Sequence, residues 1–278
     1  PKGYSLKMSE NTTTIWRMHN GAGIHVEGET EIYGKLNIEG VDKNSGWIFI
    51  NANGLEVTLN NILMKRCSNP NQFPLFLTGA ITIYNSKKLS MDNIKIIDNN
   101  SEDAINIIRS NFLVKNTYIG NTKSDAIDVD FGTGSFDNLQ LENIGLAGGG
   151  DGIDISGSKV DANKITFKNV SDKAFSIGEK SFIEINSSFI EDALVGIASK
   201  DGSKVFVETV NFKNTKLYDL MAYRKKPEYE ESYIKIETQN TISSIAGEYG
   251  NININGAFIQ KQILDIDQLY DTSMKSKK

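Results

Sequence analysis

The sequence is poor in the residues that usually carry covalent or metal chemistry. It has one cysteine, Cys67, so it cannot form an internal disulfide or a cysteine-based zinc cluster. Cys67 is expected to be a small buried or half-buried residue. Only two histidines are present, His19 and His25, both near the start, which disfavours His-based metal sites and Ser-His-Asp catalysis. Four prolines and no Gly/Ser-rich tract leave no obvious linker in 278 residues. No apolar run approaches the ~20 residues that cross a bilayer, so no membrane span is expected. A formal charge of −5 disfavours nucleic acid as a partner. No segment reads as a signal peptide, but the sequence opens on Pro1 rather than Met, which suggests a processed or shortened chain.

What the sequence has is a repeat. AITIYNS (80–86), AINIIRS (104–110), AIDVDFG (126–132), GIDISGS (152–158), AFSIGEK (174–180) and LVGIASK (194–200) look like copies of one segment. The first five begin 24, 22, 26 and 22 residues apart, a period that marks solenoids. Inside each copy the apolar residues alternate, as in Ile127 and Val129 or Ile153 and Ile155, which is strand periodicity. Two further short strands follow each copy. An asparagine recurs near the end of each coil, at Asn93, Asn116, Asn143, Asn169 and Asn214, where stacked turns favour a residue that tolerates left-handed backbone. Helical periodicity is nearly absent, and only Phe258 to about Leu269 suggests a helix or closing cap.

These features predict an all-β chain: a single parallel β-helix of roughly eleven coils with three short strands each. The whole of 1–278 reads as one domain. Residues 1–70 form less regular coils, 71–232 the regular repeats, and 233–278 the terminal coils and cap. Right-handedness is the expectation for this solenoid type.

Stacking gives the aspartates a meaning. The residue between each inward pair points outward, which sets Asn106, Asp128, Asp154, Ser176 and Gly196 in one column, with Asp130 and Ser156 two positions later. Asp103, Asp125, Asp151 and Lys173 lie just before the strands. Residues 22 to 26 apart become neighbours at about 5 Å, where like unit charges repel by roughly 3 kcal/mol at an effective dielectric near 20. Such a cluster calls for a cation, for lysine partners or for protonated carboxyls. Further coils add Asp172, Lys173, Glu179, Lys200, Asp201, Tyr223, Arg224, Lys225 and Lys226, so the acidic wall is expected to become basic. An aspartate before a strand also caps a turn by accepting backbone N–H groups, and that reading stands beside the functional one.

The run from NPNQFPLFLTGAITIYNS to AYRKKPE, with SDAIDVDF, GGDGIDISGS, DKAFSIGEKS and IASKDGS in that order, resembles a bacterial right-handed β-helix domain family over about residues 70–232. Domains of that family often accompany spore-coat-protein-H-like kinase domains. More distantly, the chain is similar to the pectin-lyase-like superfamily. Likeness to polygalacturonase-type hydrolases implies catalytic roles for Asp151, Asp172, Arg224 and Lys226; Lys173 stands where that pattern has a second aspartate, and LVGI has no histidine. Likeness to polysaccharide lyases implies calcium held by Asp125, Asp128, Asp130, Asp151 and Asp154, with Lys173 or Lys200 as base.

The expected function is therefore a carbohydrate-active protein working on an extracellular or capsular polysaccharide, by uronate β-elimination or epimerisation. The alternative is a non-catalytic glycan-binding or rigid module of a bacterial surface protein. The candidate catalytic residues are Asp128, Asp151, Asp154, Asp172, Lys173, Lys200, Arg224 and Lys226. Glu179, Asp201, Tyr223 and Lys225 are expected to bind substrate. The expected location is extracellular or at the cell surface, and the sequence leaves the oligomeric state open.

Overall fold

Residues 5–72 and 75–259 are described by a computed structural model. All regular structure among them is strand, and nearly all pairing is parallel between residues 22 to 33 apart. Three faces build each coil, as the repeat predicts. One face runs from Leu6–Met8 and Thr30–Ile32 through the first halves of the long strands Glu56–Lys65, Lys88–Asn99, Asn111–Thr122, Thr133–Ile144 and Lys159–Gly178. It continues through Phe182–Ile185, Lys204–Val207, Ser232–Ile236 and Gly250–Ile254. That gives eleven strands on the longest face, close to the expected number of coils.

A second face starts at Thr13–Met18 and Lys35–Gly40, uses the second halves of the same long strands, and ends at Val210–Lys213. The third, here the aspartate face, stacks Trp47–Asn51, Gly79–Tyr84, Asp103–Ile108, Asp125–Asp130 and Ile153–Ser156. Above these come the ends of Lys159–Gly178 and Ser188–Lys200, then Tyr218–Tyr223 and Ile245–Glu248.

The core is the stack of inward pairs. Ile81, Ile105, Ile127, Ile153, Phe175 and Ile197 lie in register and are fully buried, as are Ile83, Ile107, Val129, Ile155 and Ile177 beside them. Each such side chain contributes about 1.5–3 kcal/mol by leaving water. A small residue precedes the first member of each pair: Ala80, Ala104, Ala126, Gly152, Ala174 and Gly196. The chain turns inward there. A Cβ on Gly196 would lie 2.4 Å from the Phe212 ring, and one on Gly152 2.4 Å from Phe167.

This corner rule corrects the sequence alignment. Ile197 registers with Phe175 and Ala198 with Ser176, so the sixth copy begins at Gly196 rather than at Leu194. The outward column therefore passes to Ala198, and Gly196 faces the core.

The recurring asparagines are left-handed as expected, with φ between 50° and 57° at Asn93, Asn116, Asn143, Asn169 and Asn214. They form two ladders at two corners rather than one. Asn138 donates to Asn116 at 2.8 Å, whereas Asn169 donates to Asn143 and Asn143 to Asn121, each at 2.9 Å. Asn143→Ala removes two ladder bonds and leaves alanine, which lacks the amide that lets asparagine tolerate it, in a left-handed turn. The expected loss is about 2–3 kcal/mol, read as a shift in the urea midpoint at constant slope.

At the carboxyl end, Ala257–Phe258 pairs antiparallel with Asn253–Ile254, so the segment suggested as helix or cap begins as a strand. The rest of that segment, and the basic MKSKK tail, lie outside the described residues. Cys67 is fully buried, and burial pushes its thiol up to about 12, which makes it a structural residue.

Candidate active site

The polar residues of the aspartate face divide into a buried layer at its corner and a second layer on its strands. The buried layer is the column just before the strands. Asp103, Asp125, Asp151, Asp172 and Lys173 are each 7% exposed or less. Asp103 and Asp125 lie in register. Asp125 Oδ1 accepts the Asp151 amide at 2.8 Å, and Asp151 Oδ1 accepts the Lys173 amide at 3.0 Å. These carboxylates thus join successive coils, which is the capping role the sequence allowed.

Lys173 closes the layer. Its Nζ lies 2.6 Å from Asp172 Oδ2 and 3.3 Å from Asp151 Oδ1. Burial alone would raise Asp151, but Lys173 foremost, with Lys200, outweighs it and holds the carboxyl below the ordinary aspartate value. Burial and then the charge of Asp151 push Asp172 up to about 6, against the pull of Lys173. Lys173 is a buried counter-ion with both of its neighbours engaged, a poor position for a base that must meet a substrate. Asp151 and Asp172 stand behind the wall with it.

The second layer lies on the outward column, where Asp128 and Asp154 are half-buried and Asn106 and Ser176 are covered. Asn106, Asp128, Asp154 and Ser176 are in register across four coils. Asn106 Nδ2 donates to Asp128 Oδ2 at 3.0 Å. Lys200 Nζ reaches up from two coils on, 2.8 Å from Ser176 Oγ and 3.6 Å from Asp154 Oδ1. Asp154 Oδ1 itself has no hydrogen-bond partner among the described residues. Two positions along, Asp130 registers with Ser156, whose hydroxyl donates to Glu179 Oε2. Lys226 Nζ lies 2.5 Å from Glu179 Oε1.

The two carboxyls at the centre are set apart from Glu179. Burial first, then the charges of Asp103, Asp154, Asp130 and Asp125, push Asp128 well above the ordinary aspartate value. Burial and Asp154 raise Asp130 as well. Burial would also raise Glu179, but its bonds to Lys226 and Ser156 outweigh that and hold it below the ordinary glutamate value.

The rest of the wall departs from the expectation. Beyond Ser176 the outward column continues as Ala198, Met221 and Ala246, which are fully buried together with Val195 and Tyr223. The acidic stretch therefore gives way to a covered apolar one, not a basic one. Tyr223, expected to touch substrate, is packed in that cluster instead. Asp201 is 1% exposed, and its Oδ1 accepts the amides of Lys225 and Lys226 at 2.7 Å each, which fixes a turn. Arg224 stacks on Tyr249, its guanidinium carbon 4.3 Å from the ring centroid. Lys225 is exposed.

Calcium was expected at the five aspartates. Among the described residues no three or more His, Cys, Asp or Glu side chains converge as metal ligands. Asp125 and Asp151 are engaged with backbone amides, and Asp151 also with the Lys173 ammonium.

A cavity of about 550 Å³ opens elsewhere, on the face that carries Phe182–Ile185, lined by Glu184, Phe206, Glu208 and Lys235 among others. It holds none of the aspartates.

No protein-family model matches the chain, and no curated protein matches it. Among solved structures it is similar to the catalytic domain of a GH87 alpha-1,3-glucanase in complex with nigerose. That likeness has 13% identity and a TM-score of 0.46, and covers 96% of this chain and 62% of that one. A variant of the same domain in complex with tetrasaccharides gives 12%, 0.44, and coverage of 95% and 62%. A periplasmic alginate epimerase double mutant gives 9% and 0.18, covering 88% of this chain and 77% of that one. The chain thus spans about 62% of the length of the glucanase domains. The fold of this protein rests on its own strand ladders, and at these values the neighbours assign neither a site residue nor a substrate.

Proposed function

We propose that the protein is a carbohydrate-active enzyme that cleaves a polysaccharide laid along the aspartate face, with Asp128 as general acid and Asp154 as nucleophile. The observation that carries this reading is the in-register stacking of half-buried Asp128 on half-buried Asp154, with Asn106 bonded to the first and Lys200 beside the second. Glycoside cleavage needs two such carboxyl groups in different protonation states. Asp128 gives its proton to the leaving glycosidic oxygen. Adjacent strands set the two carboxyls about 5 Å apart, the spacing at which the second carboxylate, Asp154, adds to the anomeric carbon itself; water activated by Asp128 then hydrolyses the glycosyl–enzyme bond and releases Asp154. Over both steps one C–O bond breaks and one forms, so the products are two shortened chains, one with a new reducing end.

Hydrolysis fits the wall better than the uronate β-elimination or epimerisation that the sequence suggested. Those reactions need a cation for the uronate carboxylate and a basic amine. Here Lys173, Lys200 and Lys226 each lie within ion-pair distance of a carboxylate of the protein. An extracellular or cell-surface location suits a polysaccharide substrate.

The test is incubation with neutral and uronate-containing polysaccharides, with and without calcium, followed by reducing-end assay and ultraviolet absorbance. New reducing ends without absorbance, lost in Asp154→Ala, support hydrolysis. Unsaturated products would support elimination and overturn the assignment of water as co-reactant. The buried layer of Asp125, Asp151, Asp172 and Lys173 would equally stiffen a glycan-binding or structural module. Glycan binding without turnover on any polymer favours that second reading.

A further inference from the structure

The strand Asp125–Asp130 ends in a left-handed turn, and the residue in that turn is Phe131, at φ 54°. A bulky side chain is costly there, whereas asparagine or glycine is not. Most of the chain's left-handed residues are indeed Asn, Asp or Gly. Arg109 and Glu179 take the same left-handed turn in nearby coils, so the coil imposes the angle; what sets Phe131 apart is an aromatic ring left 63% exposed there. Its ring occupies the space above Gly157 in the next coil, where a Cβ would come within 2.7 Å of it. The Arg109 guanidinium of the preceding coil lies 5.9 Å from the ring centroid. The protein therefore holds an aromatic ring in an unfavourable pose directly after Asp130, with a glycine beside it that leaves room.

An exposed ring on a strained turn next to a candidate site points to binding. The ring makes an apolar spot about one sugar wide among Arg109, Asp130 and Ser156, unlike the broad patches of protein interfaces. A pyranose is matched to such a spot: one face carries C–H groups that stack on the electron-rich ring, and its rim hydroxyls meet the polar neighbours. Five coils along the same column of turns, Tyr249 repeats the arrangement. It is left-handed at φ 49°, 54% exposed and paired with Arg224. At about 4.8 Å per coil the two rings stand roughly 24 Å apart, and Asp154, Glu179, Lys200 and Lys226 belong to the coils from Phe131 to Tyr249.

We infer that Phe131 seats one sugar ring of the substrate chain beside the Asp128–Asp154 pair and that Tyr249 seats another farther along, so the site reads an oligosaccharide several units long. This rests on the function proposed above.

The test measures kinetics and binding together. On a polysaccharide that the wild type cleaves, Phe131→Ala and Tyr249→Ala should each raise KM about tenfold and leave kcat within about twofold. Titration of oligosaccharides of increasing length into Asp154→Asn should show affinity rising until both rings are spanned, and Phe131→Ala should lower it in that background. Phe131→Asn separates binding from structure. It should lose affinity as Phe131→Ala does, yet raise Tm by roughly 2–4 °C because asparagine relaxes in the left-handed turn. Unchanged KM and affinity in Phe131→Ala, or a lowered Tm in Phe131→Asn with affinity retained, overturns this inference while the acid/nucleophile assignment survives. If the wild type neither cleaves nor binds any glycan, both fall.

Discussion

Asp128→Asn should lower kcat by about 10²–10⁴-fold and at the same time raise the melting temperature at pH 7. Asparagine keeps the shape of Asp128 and its oxygen can still accept from Asn106 Nδ2, so the fold loses no hydrogen bond. It cannot supply the proton that the leaving oxygen needs. It also removes one of the carboxyls that crowd Asp103, Asp125, Asp130 and Asp154. Folding makes Asp128 hold a proton that the unfolded chain gives up at pH 7, which costs stability; asparagine is neutral in both states, so the change should stabilise the protein by about 1–2 kcal/mol. Differential scanning calorimetry reads that as a rise of a few degrees.

The pH dependence has a definite sign. An aspartate in the unfolded chain titrates near 3.9, and folded Asp128 holds its proton at higher pH than that. Between the two values the folded state binds more protons than the unfolded one, so this group adds stability as pH falls. Asp172, raised to about 6, acts in the same direction between about pH 6 and 4. Asp151 and Glu179, both held low, act in the opposite direction and lose their contribution as pH falls through their folded values. Asp128→Asn should therefore flatten the rise in Tm on mild acidification. Wild-type activity should fall as pH climbs past the folded value of Asp128, the acid being protonated only below it. A variant with full activity at neutral pH would remove Asp128 from the mechanism.

Lys173→Met is expected to destabilise the protein by about 3–5 kcal/mol, the largest stability loss among the substitutions considered. The change leaves Asp151 and Asp172 facing each other in a layer 7% exposed or less, without the ammonium that now lies 2.6 Å from one and 3.3 Å from the other. Thermal melting at pH 7 should show a drop of roughly 10 °C. Lowering the pH should recover part of it, as one of the two carboxyls takes up a proton. The double variant Lys173→Met with Asp172→Asn should restore a further part, because only Asp151 then stays charged. The same measurement decides whether Lys173 is a catalytic base. A base exposed to substrate would lose activity with Tm unchanged, whereas a buried counter-ion loses stability first.

The solenoid was legible because it is a matter of spacing. Ile105, Ile127, Ile153 and Phe175 recur at 22 to 26 residues and alternate with polar neighbours, and only a stack of strands buries such a pattern. The outward column from Asn106 to Ser176 followed from the same arithmetic, since register is fixed once one face is buried. The alignment failed at Leu194 because the corner selects for a small residue, and Gly196 satisfies it two places later. The small residue that marks the corner, Ala80, Ala104, Ala126, Gly152 or Ala174, has a counterpart in Gly196 that the apolar pattern alone passed over.

The division of the carboxylates had a partial sequence signal: position set the capping column before the strands apart from the outward one, but not which of them is buried or paired. Asp125 and Asp128 are three residues apart in one strand and equally acidic on paper, yet one binds the amide of Asp151 and the other faces the wall. Lys173, Lys200 and Lys226 promised a basic surface, and each instead lies beside a carboxylate that the coils bring within 4 Å. Nothing in the sequence singles out Phe131, and only its backbone angle and exposure set it apart. The sequence by itself determined the repeat, the inward face and the concentration of aspartates on one wall, because periodicity and composition are local properties. Only the tertiary structure decided which of those carboxylates are buried, paired or open to a ligand, because that depends on what the neighbouring coils place within a few ångströms.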